Sequence, residues 1–247
     1  MQHAEWFNTE ENQALMAICT RKLIRNIGIG GIVWGVINIV IGYFAMQVTI
    51  INAGILLLGI MMLGTGVQAL RNPSLSVLRT EAIVAALLFL WNLGMTVVNF
   101  KEAGAFEPRG LIFPLVIAIS VSNYYRKLGH LRHQIESVEP ARIKDTQRLC
   151  KLLLSKKIKT EPMVAETADR RCRVQLMDGH AFFIQRDLMR AFVGTHEAIQ
   201  KAVDKPDAPK WTVIFRHPLG ELKYKFDKKN SEKLRNWLAA RETVPVA

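Results

Sequence analysis

Residues 26–70 contain no charged side chain, and a second uncharged stretch covers residues 82–100. A helix rises about 1.5 Å per residue, so crossing a hydrocarbon layer of roughly 30 Å takes about 20 apolar residues. The longer block therefore holds two crossings, reversed near the polar tetrad Met46-Gln47-Val48-Thr49. The pattern predicts four membrane helices, at about 24–45, 50–70, 82–100 and 108–125. The fourth has a short uncharged run, 110–125, which lengthens when Arg109 and Arg126 snorkel from its ends. Tyr124 and Tyr125 suit an interfacial position, and Pro114 introduces a kink that neighbouring helices can accommodate.

Beyond residue 125 the pattern changes twice. Leu128, Leu131, Ile135 and Val138 have helical spacing, which predicts that the fourth helix continues to Pro140. A second amphipathic helix, about 141–157, turns Ile143, Leu149, Cys150 and Leu153 towards apolar neighbours. After Lys159 the period becomes two. Cys172, Val174 and Leu176 alternate with Arg173 and Gln175, Asp178-Gly179 marks a hairpin, and Ala181-Phe182-Phe183-Ile184 follows. Trp211, Val213 and Phe215 share one strand face; after the turn His217-Pro218-Leu219-Gly220, so do Leu222, Tyr224 and Phe226. A short helix is expected at 195–203. A closing helix, capped by Asn230 or Ser231, carries Leu234, Trp237 and Leu238 on one stripe.

The expected architecture is a four-helix transmembrane bundle followed by a small cytosolic α+β domain of five or six antiparallel strands. Its parts are an N-terminal segment (1–23), the membrane helices (24–125), a basic helical connection (126–159) and the α+β domain (160–247). Strands first and a Trp-bearing helix last resembles the pleckstrin-homology-like modules that bacteria attach to membrane helices, over roughly 160–241. The whole chain is similar to uncharacterised bacterial four-span membrane proteins. The first resemblance implies a binding or assembly module and carries over no catalytic residue.

The net charge of +12 is unevenly spread, with +1 in residues 1–125 and +11 in 126–247. Short basic loops stay on the cytoplasmic side. Arg21, Lys22, Arg25, Arg71, Arg79, Arg126, Lys127 and Arg132 fall on one side of the spans, and Lys101 and Arg109 on the other. Both termini are therefore expected in the cytoplasm, with the chain integral to the cytoplasmic membrane and no removable signal peptide. The connection alone holds +7, from Arg126, Lys127, Arg132, Arg142, Lys144, Arg148, Lys151, Lys156, Lys157 and Lys159 against three acidic residues. Each basic residue near an anionic leaflet contributes about 1 kcal/mol, so anionic lipid is the expected partner. Nucleic acid is not: no aromatic-interleaved basic motif is present.

Small residues mark the packing faces. Gly31, Gly35, Asn38 and Gly42 lie on one face of the first span, and Gly59 and Gly66 on one face of the second. Such faces serve an antiparallel hairpin within one chain or contacts between copies in a homo-oligomer. The interior amides are Asn38, Asn52, Asn92 and Gln68, suited to bonds between helices. Glu81 is expected at the cytoplasmic edge of the third span, solvated or near a helix N-terminus.

The remaining chemistry is sparse. Cys19, Cys150 and Cys172 share no metal or disulfide spacing, and His180, His196 and His217 are expected to be solvated. The clusters Arg170-Arg171-Arg173 and Lys223, Lys225, Lys228, Lys229 suit either phosphate binding or a solvated sheet face. No nucleotide, hydrolase or zinc-protease motif occurs, and no cofactor or metal is implied. The expected function is a non-enzymatic membrane anchor that presents a basic module to anionic lipid or protein. The alternative is a subunit of an oligomeric channel or transporter, lined by the four amides.

Overall fold

A computed structural model of the protein describes residues 10–47, 53–103, 109–154, 164–177, 179–185, 191–217 and 220–240. The chain forms two compact units, Arg21–Arg132 and Met1–Thr20 with His133–Ala247.

The helical unit contains most of α1 (Glu10–Met46), with α2 (Ala53–Arg71), α3 (Leu75–Ala103) and α4 (Arg109–Gly129). Among the described residues three helices, Glu10–Met46, Ala53–Arg71 and Leu75–Val98, are long and apolar enough to cross a membrane. Helix α1 starts well before the expected boundary at residue 24. No Gly or Pro interrupts residues 10–23, and Glu10 and Glu11 in the first turn favour the positive end of the helix dipole. Helix α3 likewise begins early, just after Pro73, where Ser74 Oγ accepts a hydrogen bond from Val77 N at 3.4 Å. Leu58, Met62, Val84, Ala85, Leu88 and Ala118 form the apolar centre of the unit, flanked by Trp34 and Trp91.

The glycine face of α1 meets α2 of the same chain with the helices antiparallel. A Cβ added at Gly35 would lie 2.6 Å from Leu63 N; one at Gly42 would lie 2.5 Å from Leu56 N. A Cβ at Gly59 or Gly66 would come 2.8 Å from Ile39 N or Ile32 N, so backbone approaches backbone along the whole seam. Asn38 is buried on this face, but its side-chain amide donates to Trp34 O within α1 at 2.8 Å rather than across to another helix.

The sheet unit begins with α5 (Arg132–Glu136) and α6 (Pro140–Leu154). The expected continuous helix from 108 to Pro140 is therefore broken. Helix α4 ends at Gly129, a weak helix former, and a turn closed by Leu131 N to Leu128 O at 3.0 Å separates it from α5. Among the described residues seven strands follow, more than the five or six expected. β1 (Val164–Glu166), β2 (Cys172–Leu176), β3 (His180–Gln185) and β4 (Ala191–Thr195) make one antiparallel sheet in sequence order. β5 (Val203–Asp204), β6 (Thr212–His217) and β7 (Gly220–Lys225) make the second. Helix α7 (His196–Ala202) links the sheets and α8 (Lys228–Ala239) closes the unit. Thr195 caps α7. Asp227, rather than Asn230 or Ser231, caps α8: its Oδ1 accepts from Asn230 N at 2.8 Å.

The strand faces follow the alternation in the sequence. Val213 pairs with Tyr224 and Phe215 with Leu222, placing these side chains in the core with Trp211, Phe226, Leu234 and Trp237. Met177 N donates to His180 O across a two-residue turn in which Gly179 has φ 79°, a conformation open to glycine; Asp178 lies outside the described residues. Phe183 stacks on Phe192 with centroids 4.5 Å apart and touches Phe215 and Tyr224, so both sheets and the β2–β4 register meet at one aromatic group.

The four-stranded sheet is buried on its other face too, where Phe182, Ile184, Arg173 and Gln175 lie. Among the described residues its two edges are met by side chains rather than by strands. At β4, Asn12 of α1 donates to Val193 O at 2.9 Å and accepts from Val193 N at 2.8 Å, as a neighbouring strand would. At β1, Glu166 N donates to Asn230 Oδ1 at 3.2 Å and Lys233 Nζ donates to Val164 O at 2.8 Å. Pairing the edge groups in this way removes a template for strand addition.

Candidate functional site

Helix α6 concentrates the basic residues of the connection. Pro140 opens it, where a missing N–H costs nothing, and Ile143 and Cys150, seven residues apart, are buried on one stripe. Burial pushes the Cys150 thiol up to about 11. Lys144, Arg148 and Lys151 follow the i, i+4, i+7 rule on another stripe and are all exposed. Leu152 beside them is 60% exposed, the most exposed large apolar side chain of the sheet unit's described residues. A cationic row next to an unburied leucine is chemically suited to a surface that is both anionic and apolar.

The other basic residues are distributed differently. Arg126 and Lys127 are exposed at the end of α4, and Arg132 is exposed at the start of α5. Arg142 is half-buried and turns to α1, where it forms ion pairs with Glu10 and, at 3.7 Å, with Glu11. Lys156, Lys157 and Lys159 lie outside the described residues.

The arginine cluster at 170–173 does not converge. Arg173 is 5% exposed within the sheet, with Nη2 3.4 Å from Glu166 Oε1, so the expectation of a solvated face fails for it. Alternation places Arg173 opposite Ile184 and inside the unit, whereas Arg170 sits in the preceding turn at φ 57° and Arg171 faces Asp169 at 4.0 Å. Hydrogen bonds from Thr167 and Arg171 hold the Asp169 carboxyl below its usual range. Lys223 and Lys225 are exposed on β7, the former paired with Glu221 at 2.9 Å, and Lys228 and Lys229 are exposed on the first turn of α8.

The histidines also correct the expectation. His196 is buried, with its ring stacked on Trp237 at 3.7 Å and Nε2 3.2 Å from Trp237 O. The indole of Trp237 in turn donates to Met177 O at 2.9 Å. His180 is half-buried against Phe182, and His217 ends β6, paired with Gly220 across the expected reversal. Among the described residues no three His, Cys, Asp or Glu side chains gather as a metal site requires.

Within the helical unit Gln68 is exposed, Asn92 is half-buried and Asn52 lies outside the described residues. Glu81 departs furthest from expectation: it is not solvated but 2% exposed. Its Oε2 accepts a hydrogen bond from Thr65 Oγ1 of α2, and its Oε1 occupies the space that a Cβ on Gly31 of α1 would need. Gly31 thus faces a carboxyl group of α3, whereas Gly35 and Gly42 face the backbone of α2. Thr65, Glu166 and Asn12 have no signal in the sequence pattern, because each acquires its role only from its partner.

Comparison of the chain with protein-family models, curated proteins and solved structures finds no match.

Proposed function

We propose that the protein is a non-enzymatic integral membrane protein of the cytoplasmic membrane that holds a basic cytosolic module against anionic lipid. The exposed row Lys144, Arg148 and Lys151 beside Leu152 carries this reading. In this reading α4 joins the three apolar helices as a fourth span, its ends held by Arg109 on one side and Arg126 and Lys127 on the other. The loop charges then put both termini on the cytoplasmic side. The four-plus-three strand order with a closing helix supports treating the sheet unit as a pleckstrin-homology-like module. Three basic residues at about 1 kcal/mol each are enough to seat an already tethered segment on an anionic surface.

The full chain in lipid nanodiscs provides the test. With anionic lipid, backbone amide exchange over residues 140–154 should slow relative to zwitterionic nanodiscs. High salt, or the triple change Lys144→Glu, Arg148→Glu and Lys151→Glu, should remove the difference. Equal exchange in both lipids at low salt would refute lipid docking.

A further inference from the structure

We propose that Glu81 and Thr65 form a proton-binding site where α1, α2 and α3 meet, and that one proton decides which acceptor the Thr65 hydroxyl serves. Thr65 Oγ1 lies between two oxygens, Glu81 Oε2 and Met62 O, the latter at 3.1 Å. A hydroxyl has a single proton to donate and lone pairs with which to accept. With a proton on Glu81, the carboxyl donates to Thr65 Oγ1 and Thr65 donates on to Met62 O, so both contacts are hydrogen bonds. Without it, the hydroxyl turns to the carboxylate, and Met62 O keeps only its helical partner. The proton comes from water and returns to it; no other bond forms or breaks.

Two further observations fit this site. The first is space: Glu81 Oε1 lies against Gly31, where any larger residue would collide with it, so α1 is shaped around the carboxyl group. The second is the lack of a fixed counter-ion. Arg25 of α1, Arg71 of α2, Arg79 of α3 and, on α4 beside α3, Arg126 and Lys127 are all exposed. Among the described residues none forms an ion pair with Glu81. Buried carboxyl groups in apolar helical bundles are costly to keep and commonly bind protons or cations. A proton is the cation that fits a hydroxyl and carboxyl already in contact. This site does not depend on lipid docking.

Infrared difference spectroscopy of the full chain in nanodiscs, stepped through pH, tests the proposal. The wild-type protein should show a protonated-carboxyl C=O band that grows on acidification, shifts in heavy water and is lost in Glu81→Gln. Thr65→Val, which keeps the side-chain shape but removes the hydroxyl, should move that band to higher frequency. Wild-type and Glu81→Gln spectra that coincide at every pH would overturn the proposal. So would a band that responds to sodium and not to pH. Should Glu81→Gln fail to fold, a wild-type band unmoved by Thr65→Val would be equally decisive against it.

Discussion

In α1, Val33, Val36, Val40, Ile41 and Phe44 stand exposed while Gly31, Gly35 and Gly42 are turned inward. In the sheet unit the arrangement is inverted, with Phe183, Phe192, Phe215 and Tyr224 at the centre and Lys223, Lys225, Lys228 and Lys229 outside. Phe44 is 64% exposed and Phe183 is 0% exposed, although both are phenylalanines in regular structure. The difference is the one expected if the proposed membrane placement of the helical unit gives the two units different solvents. A water-soluble unit gains stability by taking aromatic area out of water. Helices in lipid gain nothing from hiding apolar side chains, so their interiors select small residues that let backbones approach.

Truncation at the sheet centre should have the largest effect. Phe183→Ala removes the ring shared by both sheets and should destabilise the sheet unit by about 4 kcal/mol, measured by denaturant unfolding monitored through Trp211 and Trp237 fluorescence. A loss below about 1 kcal/mol would mean that the aromatic group does not hold the sheets together.

A charge on an exposed helix face separates the two solvents directly. Val36→Arg should cost about 3 kcal/mol of membrane insertion, read in a translocation assay, whereas Met177→Arg on the exposed rim of the sheet unit should be neutral. Equal tolerance at the two positions would remove the contrast.

The glycine seam predicts a smaller, position-specific effect. Gly35→Ala forces α1 and α2 apart and should cost about 2 kcal/mol, measured by unfolding in mixed detergent. Gly30→Ala points into open space and should be neutral or stabilise slightly through its better helix propensity. Finally, Asn12→Ala leaves the Val193 edge groups without their amide partner, costing about 1 kcal/mol and speeding amide exchange at Val193 while leaving the β2–β3 hairpin protected.

Features encoded by local period were legible in the sequence. The alternation at Cys172–Leu176 and the shared faces of β6 and β7 could be read because each strand has one core side and a short-range partner. β4 could not be read in this way. Ala191, Phe192 and Gly194 are all buried, so no polar position marks a face. β1 and β5, at three and two residues, are too short to show a period. The basic stripe of α6 was visible as charge, but the diversion of Arg142 to Glu10 and Glu11 depends on where α1 begins.

What the sequence alone determined is the division of the chain into a charge-poor helical half and a charged sheet half, the hairpin at Gly179 and the glycine faces of α1 and α2. These follow from periodicity and composition over a few turns or strands, which any local stretch of chain expresses by itself. Only the tertiary structure decided that Glu81 is buried against Thr65 and that Asn12 pairs with Val193 across 181 residues of sequence. A polar side chain carries no local sign of its eventual partner. Its burial becomes tolerable only when a distant donor or acceptor arrives, and that pairing is a property of the assembled unit.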